Sequence, residues 1–216
     1  MSEKQTHIAV LTGDIIGSTQ LSPEDLERAF EALSISAEVQ ADWHGESLHF
    51  TRQRGDGWQV RLARPELALR TTLAFRAALR SEGKQFSTFM AVAEGDATPI
   101  TPGADLNTAA ETVFVESGRL LDWLKDQEKP IQIAHDQGGA TGAALILADH
   151  ISQGWTPAQA AAIRPLLIPD RKLYYTDVAD FLGKSRQAVT KALDGAGFHS
   201  IWMALIAFEH EEAQND

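Results

Sequence analysis

His-Ile-Ala-Val-Leu-Thr-Gly-Asp-Ile-Ile-Gly-Ser-Thr, residues 7–19, decides how this chain is read. Its apolar run is that of a strand buried on both faces. The strand ends on a carboxylate, Asp14, and passes into a loop of small residues, Gly17-Ser18-Thr19. A second carboxylate stands in a tight turn at Arg54-Gly55-Asp56-Gly57. Whether these two aspartates meet determines what the chain does.

Working outward, Ser22 has the character of a helix N-cap, with Pro23 at the first helical position and Asp25 three residues after the cap. Leu26, Phe30, Leu33 and Ala37 recur at helical spacing, which predicts a helix to about Asp42. Residues 47–53 and 57–63 read as two strands joined at the Gly55-Asp56 turn. A helix over 65–80, a strand over 86–94, a loop over 98–104 containing Pro99, Pro102 and Gly103, a helix over 106–126 and a strand over 131–135 follow. The first six elements make a βαββαβ unit, the ferredoxin-like arrangement. Right-handed crossovers put the third strand between the first and second, antiparallel to both. Asp14 at the end of the first strand then neighbours Asp56 at the start of the third.

Two adjacent carboxylates repel unless a cation intervenes. A hard divalent ion removes the repulsion, takes oxygen ligands and bridges to nucleotide phosphates. The loop Ile16-Gly17-Ser18-Thr19, near a helix start, offers backbone N–H groups as a phosphate cradle. The competing reading is turn chemistry, in which each aspartate fixes only its own turn.

Composition sets the frame. The chain has 216 residues, no cysteine and a formal net charge of −11. Disulfides and thiolate metal sites are excluded. No apolar run reaches ~18 residues and the start lacks a signal-peptide core, so a cytoplasmic protein without a membrane span is expected. The charge is uneven. Residues 151–208 hold six bases and four acids, whereas residues 1–150 hold 13 bases and 22 acids. The last eight residues add four acids. An acidic front and a mildly basic back suggest two units, 1–137 and 138–216, with the glycine-rich stretch 138–142 as boundary.

Val10-Leu11-Thr12-Gly13-Asp14-Ile15-Ile16-Gly17-Ser18-Thr19 resembles the first metal motif of class III nucleotidyl cyclases. Arg52-Gln53-Arg54-Gly55-Asp56-Gly57 is similar to their second, 42 residues on, and Ser117-Gly118-Arg119 partly matches a later helical signature. The resemblance covers residues 7–135. It implies an α+β domain in which Asp14 and Asp56, helped by the Ile15 carbonyl, hold Mg2+ or Mn2+. Residues 16–19 would bind triphosphate, and Arg119 would act across a head-to-tail homodimer. The family's base-selecting lysine aligns with Arg52 and its catalytic asparagine with Val115. Valine donates no hydrogen bond, and losing one such donor costs ~10²–10³ in rate. The pattern is closer to the SatD-like bacterial proteins, which share the Gly-Asp-Ile-x-Gly-Ser strand, the Gly-Asp hairpin and a Phe-x-x-Ser-Gly-Arg-like helix, here 114–119.

The back of the chain reads as all-α. Residues 143–151, a capped start at Thr156-Pro157, 176–182, 185–194 and 200–212 are helical. Residues 175–198 resemble a helix-turn-helix of the winged-helix or sigma-region-4-like class. Gly183 forms its turn and Val178, Leu182 and Val189 its inner face. Ser185, Arg186, Gln187, Thr190 and Lys191 then face outward as candidate DNA contacts. The competing reading is a packing or dimerisation unit.

Other groups carry less. The histidines lack zinc spacing, and His44 and His49 are expected at the surface. Arg70, Arg76 and Arg80 read as a solvated helix face, and Trp43, Trp58, Trp123 and Trp155 as core or interface. Glu94-Gly95-Asp96 ends a strand expected near the aspartate pair, where it would tune the pocket, although a turn is the commoner explanation. The chain thus reads as a regulator joining a nucleotide-binding domain to a DNA-binding one. The alternative is a divergent cyclase or nucleotidyl-transfer enzyme whose helices dimerise.

Overall fold

The computed structural model describes residues 5–101, 103–128, 131–169 and 171–212. Pro102 of the expected loop and residues 213–216 of the acidic tail lie outside the described residues. The fold is mixed α+β. A five-stranded sheet has the order β2-β3-β1-β4-β5, with β1 Thr6–Ile15, β2 Thr51–Arg52, β3 Gly57–Leu62, β4 Thr88–Ala97 and β5 Ile133–His135. β1 is central and antiparallel to β3 and β4; β5 runs parallel to β4. The register places Asp14 opposite Gly57 on one side and Phe89 on the other.

The sheet is covered on both faces, which is why every residue from Ile8 to Gly13 is buried. Ala9, Leu11 and Ile15 face α1 (Pro23–His44) and α2 (Ala68–Glu82). Ile8 and Val10 face α3 (Thr112–Lys125), where they meet Val113 and Phe114. The start of α1 is set as the sequence indicates: the Asp25 amide donates to the Ser22 hydroxyl at 3.1 Å, with Pro23 in the first turn.

Three elements are shorter than expected. The first hairpin strand shrinks to Thr51–Arg52, because His49 takes a left-handed φ of 50° that breaks extended pairing. The helix expected from 106 begins only at Thr112, after a 3-10 turn over Leu106–Thr108 that the Asp105 carboxylate caps. The strand expected over 131–135 pairs only from Ile133.

Helices α4 (Gly139–Gln153), α5 (Pro157–Ile163), α6 (Tyr175–Leu182), α7 (Arg186–Gly195) and α8 (Phe198–Glu212) follow. α4 starts within the glycine-rich stretch, and a Cβ at Gly142 would stand 2.7 Å from the Gln137 carbonyl oxygen. The apolar core runs without a break from α1 and α2 into these helices, through Leu145, Ile163, Leu167, Val178, Leu193 and Leu205.

That packing corrects the reading of α2. Arg70 and Arg76 are buried, not a solvated face, because the later helices cover them. Arg76 Nη2 donates to Asp149 Oδ1 of α4 at 2.8 Å. Arg70 forks onto the Glu209 carboxylate of α8 at 2.5 and 2.8 Å and donates to the Leu167 carbonyl at 3.0 Å. Arg80 is half-buried and donates to the Lys84 carbonyl. His44 and His49 are likewise buried rather than surface groups. Trp43, Trp58 and Trp155 are buried, and Trp123 stays half exposed on α3.

Candidate metal and phosphate site

The β1 and β3 ends build the site. The Ile15 amide donates to the Asp56 carbonyl at 3.0 Å, which continues the ladder into the Gly55-Asp56 turn. Gly13 is required beneath it: a Cβ there would lie 2.2 Å from the Trp58 indole, which pairs directly across the strands. Trp58 Nε1 donates to Thr88 Oγ1 at 3.0 Å, and the Thr88 hydroxyl donates to the Asp14 carbonyl at 2.8 Å. The Asp14 backbone is thereby fixed from two neighbouring strands.

The two carboxylates lie within hydrogen-bonding reach of each other. Burial raises the Asp14 pKa, Asp56 raises it further, and the Lys125 ammonium opposes the rise without cancelling it. For Asp56, burial also pushes upward. Hydrogen bonds from the Ser18 hydroxyl and from Asp14 outweigh it, and the carboxyl ends below its ordinary value. Two carboxylates this close repel each other, and the pair calls for positive charge.

Lys125 partly meets that demand. From the last turn of α3 its Nζ stands 2.7 Å from Asp14 Oδ2, and the contact with Asp14 raises its own pKa. α3 is held at the right height by a buried chain in which Gln59 donates to Thr12 (2.8 Å), Thr12 contacts Ser117 (2.7 Å) and Ser117 donates to the Phe114 carbonyl (2.9 Å). Sequence reasoning missed Lys125. Its spacing of four from Leu121, a sheet-facing residue, was the available signal.

The loop is a smaller cradle than expected. The Ile16 amide already donates to the Ser87 carbonyl at 2.9 Å and offers nothing to a ligand. Gly17 turns the chain at φ 69°, and the Gln20 amide returns to its carbonyl. Among the described residues the amides of Gly17, Ser18 and Thr19 have no acceptor, and Gly17 and Thr19 are exposed. Ile15 is buried in the core, so only its carbonyl is in play as a ligand.

Three expected partners stand elsewhere. Arg52 lies against α1, 2.7 Å from Glu27, with its guanidinium over the Phe30 ring at 3.8 Å. Arg119 points away from the sheet, paired with Glu116 at 2.5 Å, and Val115 is also exposed. Glu94 is not near the aspartates. Because β4 is antiparallel to β1, Glu94 lies opposite Ala9, roughly 17 Å along the strand from Asp14's level. Its carboxylate is 3.0 Å from His135 Nε2. Burial lowers the His135 pKa, but Asp136 and Glu94 outweigh it and raise it to about 9.

The candidate DNA contacts sit on α7. α6 ends at Gly183, φ 61°, and the Ser185 hydroxyl accepts from the Ala188 amide at 3.2 Å as the α7 cap. Arg186, Gln187 and Lys191 are exposed and Thr190 half-buried, on one open surface. Val178, Ala179, Val189 and Leu193 face inward. Leu182 is half-buried.

No family model and no curated protein matches the chain. Among solved structures, the guanylyl cyclase Cya2 matches at 16% identity and a TM-score of 0.42, over 57% of this chain and 73% of that one. Among the described residues no helix is long and apolar enough to cross a membrane.

Proposed function

We propose that the chain binds a nucleoside triphosphate with Mg2+ or Mn2+ at the edge formed by Asp14 and Asp56. The observation that carries this reading is the adjacency of the two carboxylates at the β1 and β3 ends, with Lys125 Nζ 2.7 Å from Asp14 Oδ2 as a partial countercharge. Among the described residues no third His, Cys, Asp or Glu completes a metal cage. Two carboxylates fit magnesium, which keeps several waters and shares its remaining positions with substrate phosphates. Asp14, Asp56 and the Ile15 carbonyl would hold the ion, and the ion would neutralise phosphate charge. The amides of Gly17, Ser18 and Thr19 would take phosphate oxygens, and Lys125 would remain as a cation beside them. Titration of ATP, GTP, CTP and UTP in Mg2+ tests this. At least one binds wild type tenfold or more tighter than Asp14→Ala/Asp56→Ala; equal affinities for all four overturn it.

The enzyme reading, a divergent nucleotidyl cyclase or nucleotidyl-transfer protein, needs Arg119 from a second copy. Arg119 is exposed, pairs with Glu116 and is turned away from the aspartates of its own chain. Release of pyrophosphate that Arg119→Ala abolishes would support it; no release in Mg2+ or Mn2+ would exclude it. A regulatory role through DNA rests on α7, whose Arg186 and Lys191 have no carboxylate partner among the described residues. Such contacts predict affinity for duplex DNA that falls steeply with salt and weakens in Arg186→Ala.

A further inference from the structure

A second cavity, distant in sequence from the aspartate pair, opens where the segment entering α6 meets α8 and α2. Its volume is ≈ 570 Å³, within the range of small-molecule sites. Trp202 and Phe198 of α8 form an aromatic wall, with ring centroids 6.0 Å apart. The Arg70 guanidinium lies 5.5 Å from the Trp202 ring, and its charge is taken up by Glu209.

The rim differs from the floor. Tyr174 is 73% exposed, a large ring left in water at the mouth. Arg171 and Lys172 line the same mouth and have no carboxylate partner among the described residues, in a chain of 30 acids and 19 bases. Two unneutralised cations beside an exposed tyrosine and a partly buried tryptophan want a ligand that is flat, apolar in its body and anionic at one end.

We infer that this cavity binds a small planar aromatic anion, its ring against Trp202 and Tyr174 and its carboxylate or phosphate on Arg171 and Lys172. The walls come from α6, α8 and α2, so an occupant would tie the entry of α6 to the Arg70–Glu209 contact.

The test uses the full chain with 2-naphthoate, 2-naphthyl phosphate and neutral 2-naphthylmethanol as probes, followed by calorimetry and tryptophan fluorescence. One or both anions should bind wild type at least tenfold more tightly than the alcohol, which identifies the preferred anionic group. Arg171→Ala/Lys172→Ala and Tyr174→Ala, all at exposed positions, should each weaken that anion about tenfold with unchanged circular dichroism. Asp14→Ala/Asp56→Ala should leave it unchanged, which separates this site from the proposed nucleotide edge. Equal binding of alcohol and anions, insensitivity to both rim variants, or loss in the aspartate variant would overturn the inference.

Discussion

Lys125 closes onto Asp14 from the end of α3, with 2.7 Å between Nζ and Oδ2, although 111 positions of chain order separate them. The contact places an ammonium where a carboxylate pair requires positive charge. Lys125 is 43% exposed, so solvent screens the pair and its worth to the fold is small, about 0–1 kcal/mol. Lys125→Ala should therefore barely change the melting temperature. It should tighten Mn2+ binding in the absence of nucleotide, because the competing cation is gone, and weaken triphosphate binding several-fold. Calorimetry with the metal alone and then with nucleotide separates the two effects.

The raised pKa of Asp14 makes its ionised form a cost to the metal-free fold. A raised folded pKa gives stability that is complete below the unfolded value of 3.8 and is lost as pH rises through the folded value. Asp14→Asn removes the charge at similar volume and should stabilise the metal-free protein at pH 7, by about 0.5–2 kcal/mol as is common for such site substitutions. The same change should abolish divalent-ion binding. An unchanged or lower melting temperature at pH 7 would contradict the charge assignment.

Arg76 and Asp149 are both buried, with side chains 3% exposed, and among the described residues Arg76 Nε and Nη1 have no hydrogen-bond partner. Burial lowers the Arg76 pKa to about 10 against the opposing pull of Asp149. Removing one partner of such a pair leaves an uncompensated charge and costs about 3–5 kcal/mol. Asp149→Ala should lose that much by urea unfolding. Asp149 also accepts from the Gln132 amide at 2.9 Å, so loosening should extend to β5 and appear as faster amide exchange at Ile133.

His44 supplies an acid limb. Burial, aided by Arg64, lowers its pKa to about 4 from 6.5, and it contacts Thr71 Oγ1 at 3.0 Å. A depressed folded pKa gives stability that is present above pH 6.5 and lost as pH falls toward about 4. The full span corresponds to about 3 kcal/mol. His44→Gln should flatten the stability profile between those pH values, as measured by denaturant midpoints.

The parts that the sequence revealed are local. The apolar run into Asp14, the Ser22–Pro23 cap and the Gly55-Asp56 turn each specify their own geometry, and β1 facing β3 then brings the two aspartates together. The parts it concealed depend on distant packing. Arg70 and Arg76 sit at helical spacing that suits a solvated face; only the arrival of α4 and α8 buries them. The antiparallel course of β4 carries Glu94 away from Asp14. The Ile16 amide was spent on Ser87, across a loop no local pattern joins to it.

Paramagnetic Mn2+ tests the central claim most directly. Titrated into labelled protein with a nucleoside triphosphate, it should selectively broaden the amide resonances of Gly17, Ser18 and Thr19 and the Trp58 indole. In Asp14→Ala/Asp56→Ala that broadening should vanish while the rest of the spectrum stays folded. Broadening that survives in the variant, or that never reaches residues 17–19 in wild type, would contradict a metal–phosphate edge at Asp14 and Asp56.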